Sequence, residues 1–316
     1  MRHWVGMFLV VLALGQSRPA LALQDLDERV YCFAPDRSGV TVLDPIRLET
    51  LQVLKNETTQ LGLADRERVF FISTNIIRVF DRRTLRLRAT LDWNGCPTPG
   101  ECRALLSPDG GKLYIGVVGW GGNPRSGIHV VDLEQGGDPE IWLPGQLDSG
   151  CIDASPDGRR VYVPTNPIGV LDAESGQLVQ KIELPPEARV TDIAASGPES
   201  FFAVVQAGKR SMIVAVDTQT GRRAELAMPS PVTRLAVTGP ETLYALGPHA
   251  LAKIDVHQGK IIETLPFGGT TLSYDPDRNR LLVFSLPMRR LQMVDTRLNC
   301  LTRWLDFDQP TLGFAY

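Results

Sequence analysis

Histidine, surplus positive charge and long apolar runs are all scarce in this chain. Four of 316 residues are histidine. His3 lies in the leader, and no two of His129, His249 and His257 have metal-ligand spacing, so no metal is expected. His257 reads as a turn residue and His129 as a packed strand residue. There is no Cys-x-x-Cys-His for covalent haem, no Gly-x-Ser-x-Gly nucleophile elbow and no Gly-rich phosphate loop. No cofactor is therefore expected. Lys and Arg number 33 against 36 Asp and Glu, which lacks the basic excess of a nucleic-acid binder.

After the N-terminus no stretch approaches the ~18 apolar residues of a membrane span. The N-terminus itself has Arg2 and His3, then an apolar run from Trp4 to Leu14, then the small residues Ala20-Leu21-Ala22. This is the pattern of a secretory signal peptide, with cleavage expected after Ala22 and no membrane anchor thereafter. Residues 1–22 are thus expected to be leader and 23–316 a single domain. Export to the periplasm or beyond makes disulfides feasible. Five cysteines, Cys32, Cys96, Cys102, Cys151 and Cys300, leave at least one outside any internal pairing.

What the chain has in quantity is a short strand ending in aspartate. VTVLD, IRVFD, IHVVD, IGVLD, IVAVD, LAKID and LQMVD end at Asp44, Asp81, Asp132, Asp172, Asp217, Asp255 and Asp295. Successive aspartates lie 37, 51, 40, 45, 38 and 40 residues apart. A period near 42 built from short strands is that of a propeller blade. Four residues after these aspartates stand Gly136, Gly176, Gly221, Gly259 and Asn299, which adopt a left-handed backbone cheaply. The aspartates therefore read as hairpin-turn anchors. Leu48 and Leu85 occupy the same place in the other two copies, and those turns are expected to differ in geometry. Ser107-Pro108-Asp109-Gly110 and Ser155-Pro156-Asp157-Gly158 are turns between the first and second strands.

Six units from Thr59 to Phe307 each begin with an inner strand. The first unit, opening at Arg29, has none, and residues 311–316 stand alone at the other end of the chain. The fold is therefore expected to be all-β. It is a seven-bladed β-propeller of four-stranded antiparallel blades, closed where strand 311–316 joins the N-terminal blade. On these SPDGxxLYV and DxxTG elements, residues 29–316 resemble the YVTN-type seven-bladed propellers. Their superfamily also includes the large subunits of quinoprotein amine dehydrogenases. The resemblance implies a scaffold and leaves the role open.

Antiparallel connectivity sorts the loops. Turns joining strands one to two and three to four share one face and are short. Loops joining two to three, and blade to blade, share the other and carry the irregularity, so binding is expected there. Two insertions stand out: 92–102, with Trp93, and 119–127, with Trp120, Asn123 and Arg125. Exposed Trp and Arg are typical of binding hot spots; equally, both tryptophans would serve as plugs against the rim. Arg103 and Arg37 join the candidate binding set. Asp36, Lys209, Arg210, His249, Arg289 and Arg290 share the face, either as an anion-accepting surface or as solvated loop tips.

Cys96 and Cys102 are expected to close a small loop as a disulfide, with Cys102–Cys151 as the rival pairing. Cys32 reads as buried and Cys300 as a free or intermolecular thiol. Glu101, Asp153 and Asp192 are the channel-mouth carboxylates. No catalytic residue is assigned. The preferred reading is an exported scaffold that binds a protein or small ligand through its loop-rich face, as an accessory or large subunit of a periplasmic redox complex. The alternative is a channel-mouth enzyme, such as a lactonase-like hydrolase or an oxidoreductase subunit.

Overall fold

The computed structural model describes residues 29–33, 39–44, 49–55, 59, 61–65, 67–93, 103–107, 109–118, 126–136, 138–145, 147–275, 278–307 and 313–315. These form seven four-stranded antiparallel sheets, the blades of a propeller. Blades 1 to 6 begin with the inner strands Leu61–Ala64, Ala104–Leu106, Asp153–Ala154, Ala188–Gly197, Arg234–Gly239 and Thr271–Asp275. In blade 7 the inner strand is Gly313–Ala315, followed outward by Val30–Phe33, Gly39–Leu43 and Thr50–Lys55. The closing register is Tyr31 opposite Ala315, Cys32 opposite Phe314 and Phe33 opposite Gly313. The closing blade thus takes its inner strand from the C-terminus and the other three from the N-terminus, which ties down both ends.

Seven apolar clusters fill the seven interfaces between blades. Leu63, Phe70 and Ile77 of blade 1 meet Leu106, Leu113 and Ile115 of blade 2. Val30 and Leu43 of blade 7 meet Leu282 and Phe284 of blade 6 on one side. On the other side, Tyr31 and Val42 meet Val69 and Phe71 of blade 1. A strand in the middle of a blade therefore buries both of its faces. This is why sequences such as Arg68–Ser73, RVFFIS, run apolar without alternation. Outer strands meet water and are mixed, as in Thr50–Lys55 and Cys300–Asp306.

Tyrosines at a matching position of the second strand lock neighbouring blades together. The Tyr114 hydroxyl donates to the Ala173 carbonyl at 2.8 Å, Tyr162 to Pro198 at 3.2 Å, and Tyr244 to Asn299 Oδ1 at 2.8 Å. Each bond crosses to the next blade near its turns, so the turn face is stitched at the interfaces of blades 2 with 3, 3 with 4 and 5 with 6.

The Asp-ended turns behave as anchors, with one departure from the sequence reading. Asp172 Oδ1 accepts from the backbone N–H of Ser175 at 3.0 Å and from its hydroxyl at 2.9 Å, while the Gly176 N–H donates to the Asp172 carbonyl at 2.9 Å. Gly136, Gly176, Gly221, Gly259 and Asn299 all have positive φ. Leu85 does too, at 54°, and its N–H donates to the Asp81 carbonyl at 2.8 Å. The expectation of a different turn at Leu85 is therefore corrected. Its side chain packs on the Tyr31–Phe71–Phe80 cluster, and that contact offsets the left-handed backbone. Leu48 lies outside the described residues.

Candidate binding face and channel wall

The two faces are joined by the inner strands, and three charged residues sit on them near the loop-rich end. Arg103 leads into the inner strand of blade 2, Asp153 opens that of blade 3, and Asp192 lies within that of blade 4. Asp153 and Asp192 are 1% and 0% exposed. Arg103 Nη1 donates to the Ile193 carbonyl at 3.0 Å, and its Nη2 stands 2.9 Å from Asp192 Oδ1. Arg103 thus spans blade 3 to reach blade 4.

The carboxylates fasten successive blades. Asp153 Oδ2 accepts from the Ala195 N–H at 2.6 Å, and its Oδ1 from the Ala154 N–H at 2.6 Å. Asp192 Oδ2 accepts from the Leu235 N–H at 2.7 Å. Each aspartate therefore bonds the inner strand one blade further on, from 3 to 4 and from 4 to 5. Burial pushes the Asp153 carboxyl up to about 8, against the opposing pull of Arg103 and the two backbone donors. With one guanidinium beside two buried carboxylates, a neutral Asp153 leaves the Arg103–Asp192 pair balanced. The arrangement is suited to holding four inner strands in register. Both Asp153 oxygens are already engaged in that task.

Of the two readings given for Trp93, its burial matches the plug and not the exposed patch. It is 1% exposed, its indole N–H donates to the Ser73 carbonyl at 2.8 Å, and its backbone N–H donates to the Asn75 carbonyl at 3.0 Å. It packs edge-on to His129 at 5.5 Å, within the core shared by blades 1 and 2. The tryptophan caps the hairpin at 73–75 from below, so its ring belongs to the fold. Arg103 is likewise committed to the channel wall. Trp120, Asn123, Arg125, Arg37, Cys96, Cys102 and Glu101 lie outside the described residues. Cys32 is buried, which raises its thiol pKa well above the usual range, and Cys151 is buried too. Cys300 is half-buried at the start of an outer strand.

On the loop-rich face of blades 3 to 6 the two-to-three loops are tied to the crossovers between blades. Asn166 Nδ2 donates to the Pro185 and Ala188 carbonyls at 2.9 Å each. Gln206 Nε2 donates to the Val232 carbonyl at 3.0 Å, and the Val232 N–H donates to Ser211 Oγ at 3.1 Å. Between blades 4 and 5 the crossover leaves a cavity of about 30 Å³ lined by Met228, Pro231, Val232, Gly247, Ala250 and Ala252. Gly247 is required there, because a Cβ would fall 2.2 Å from the Pro231 carbonyl oxygen. This recess was absent from the sequence reading. Its one local signal is the Pro229-Ser230-Pro231 crossover, whose stiff backbone stands away from the sheet.

No protein-family model matches the chain, and no curated protein matches it. Solved structures do. The dihydro-heme d1 dehydrogenase NirN, in complex with DHE, superposes with a TM-score of 0.62 at 16% identity, over 95% of this chain and 77% of that one. Hydrazine synthase of Kuenenia stuttgartiensis gives a TM-score of 0.64 at 13% identity, over 93% and 99%. Apo AztD from Citrobacter koseri gives 0.55 at 13% identity, over 91% and 97%. At such identities the likeness is one of fold, and it agrees with the seven blades counted from the aspartate repeat.

Proposed function

We propose that this chain is an exported propeller of the YVTN type that binds a protein or small ligand through its loop-rich face. One observation carries the reading: the two faces differ in how their charged groups are used. On the turn face the aspartates are saturated by their own hairpins. On the loop-rich face Lys209 and Arg210 project as an exposed pair from the hairpin between two strands of blade 4. The channel-wall side chains Arg103, Asp153 and Asp192 are occupied in fastening blades, which favours binding over chemistry at the channel mouth.

Trp120, Asn123, Arg125 and Arg37 are assigned to the same face by connectivity, and a Cys96–Cys102 bridge would hold the loop between them. Export rests on the basic, apolar and small-residue succession of the first 22 residues. Among the described residues no helix is long and apolar enough to cross a membrane. A place in an exported redox assembly is the narrower form of the proposal. It draws on neighbours described as a dihydro-heme d1 dehydrogenase and a hydrazine synthase.

The test is a pair of photo-crosslinking side chains in the full-length chain, one replacing Lys209 on the loop-rich face and one replacing Gln219 on the turn face of the same blade. Adducts from position 209 alone are the expected result, on a protein recovered from the periplasm with Leu23 at its N-terminus. Adducts from position 219 alone would overturn the choice of face. Recovery in the cytoplasm with Met1 intact would overturn export.

A further inference from the structure

The sector of the loop-rich face over blades 4, 5 and 6 has a chemistry of its own. Its connecting segments are 206–210, 228–234, 246–250, 265–270 and 285–290. They contain Lys209, Arg210, Arg234, His249, Arg289 and Arg290, and no aspartate or glutamate. Lys209, Arg210 and His249 are exposed. Arg290 is paired with Asp306 at the exit of the next outer strand, at 2.5 Å. The chain as a whole has a formal charge of −3, so this concentration of positive charge runs against the average.

The apolar recess lies inside the same sector. Val232, in its wall, is bonded to Gln206 and Ser211 at the stem of the hairpin whose tip carries Lys209 and Arg210. Met228, also in the wall, sits opposite Ser211 in the sheet. His249 directly precedes the wall residue Ala250. One neighbouring hairpin adds Leu286 and Met288, 39% and 48% exposed. A recess of about 30 Å³, room for one methyl group, therefore lies beside the hairpin whose tip carries the cations Lys209 and Arg210 and beside the exposed His249 of the next blade.

We propose that this sector binds an extended acidic segment of a partner protein, which seats a methyl group of one aliphatic side chain in the cleft between blades 4 and 5 while its carboxylates lie over Lys209 and Arg210. The inference rests on the reading of the loop-rich face as the binding face and specifies its partner. Charge complementarity selects the sign, and steering by like-signed loops raises the encounter rate. The recess selects a side chain over a flat surface. An anionic membrane would satisfy the cations but leave a concave apolar site beneath the headgroups unfilled.

The experiment is selection from a random peptide display library on the mature protein, with Lys209→Glu/Arg210→Glu and Ala250→Trp as comparison baits. Wild type is expected to enrich peptides with an acidic excess around one aliphatic residue. Affinity of the enriched peptide should fall about tenfold or more for the charge-reversed protein. It should also weaken when salt is raised beyond the screening range of surface charges. The Ala250→Trp bait should keep the acidic preference and lose the aliphatic one.

The charge-reversed pair sits at an exposed hairpin tip, so its thermal melt should match wild type and keep the comparison valid. Enrichment with no acidic excess, or equal affinity for wild type and the charge-reversed protein, would overturn the proposal. So would a wild type that enriches nothing but co-floats with phosphatidylglycerol vesicles. Crosslinks from position 209 to a partner without an acidic segment would sink this inference while leaving the face assignment standing.

Discussion

The turn face and the loop-rich face of this ring are made by the same strands, yet they spend their polar groups in opposite ways. On the turn face Asp81, Asp132, Asp172, Asp217, Asp255 and Asp295 each accept a bond from the backbone N–H three residues on. Those donors hold the carboxyls of Asp81, Asp132, Asp172 and Asp217 below the usual range. The acidic residues are abundant but already bonded. On the loop-rich face of blades 3 and 4 neutral side chains, Asn166, Gln206 and Ser211, bond the backbone, and Lys209 and Arg210 are exposed at their hairpin tip. One face is solved by local turn chemistry repeated around the ring. The other is solved loop by loop, and that leaves room for recognition.

Substitutions separate the two faces by size of effect. The largest should come from removing residues 310–316, which takes the inner strand from blade 7 and opens the ring. Both faces lose their frame, and the melting temperature of the mature protein should drop by more than ~10 °C or the cooperative transition should vanish. Next is Gly176→Ala on the turn face. The backbone there has φ +68°, and a Cβ would stand 2.3 Å from the Trp142 ring. The cost should be about 3 kcal/mol or more, seen as a fall of roughly 6–12 °C in melting temperature. Peptide binding at blades 4 and 5 should survive in the fraction that stays folded.

The channel wall gives a pH-dependent contrast. The folded carboxyl of Asp153 holds its proton up to about 8, well above its ordinary range. The folded state therefore binds more protons than the unfolded chain between the ordinary carboxylate range and that value, and stability falls as pH rises through this window. Wild type should melt at a lower temperature at pH 9 than at pH 5. Asp153→Asn, which cannot ionise, should flatten that slope and overtake wild type above pH 8. Equal slopes in the two proteins would show that Asp153 titrates normally.

Gly221→Ala is a gentler probe of the turn face. Its φ is +70° and nothing lies within 4 Å of a new Cβ, so only backbone strain is added. The expected cost is about 1 kcal/mol by denaturant titration. Smallest for stability is Lys209→Glu/Arg210→Glu, which should stay within ~0.5 kcal/mol of wild type because the tip is exposed. If it destabilised the fold as much as Gly176→Ala, the claimed freedom of the loop-rich cations would be wrong.

What was legible in the sequence follows the same division. The Asp-ended strands, the Gly and Asn turn positions and the orphan C-terminal strand are local or countable signals, and they led to the blade number and the mode of closure. Leu85 stands where Gly or Asn is usual because its side chain packs on the cluster that blade 1 residues Phe71 and Phe80 form with Tyr31 of blade 7, a long-range contact that no local pattern encodes. Trp93 looked like a loop residue, since its burial depends on the carbonyl of Ser73, twenty residues away. Arg103 meets Asp192 across an intervening blade. Pairing between residues 89 apart, on blades that are not neighbours, leaves no local trace in the sequence. The cations of blades 4 to 6 were visible one by one. The recess beside the Lys209–Arg210 hairpin arises from the fit of the crossover at 228–234 against the loop at 246–250, which no local pattern encodes.

The central claim is that recognition belongs to the loop-rich face. Hydrogen–deuterium exchange of the mature protein, alone and with its selected acidic peptide, tests it most directly. Added protection is expected in segments 206–210, 228–234 and 246–250, with unchanged exchange at the hairpins 217–221, 255–259 and 295–299. Protection confined to those Asp-ended hairpins, with the loops of blades 4 and 5 unchanged, would contradict it.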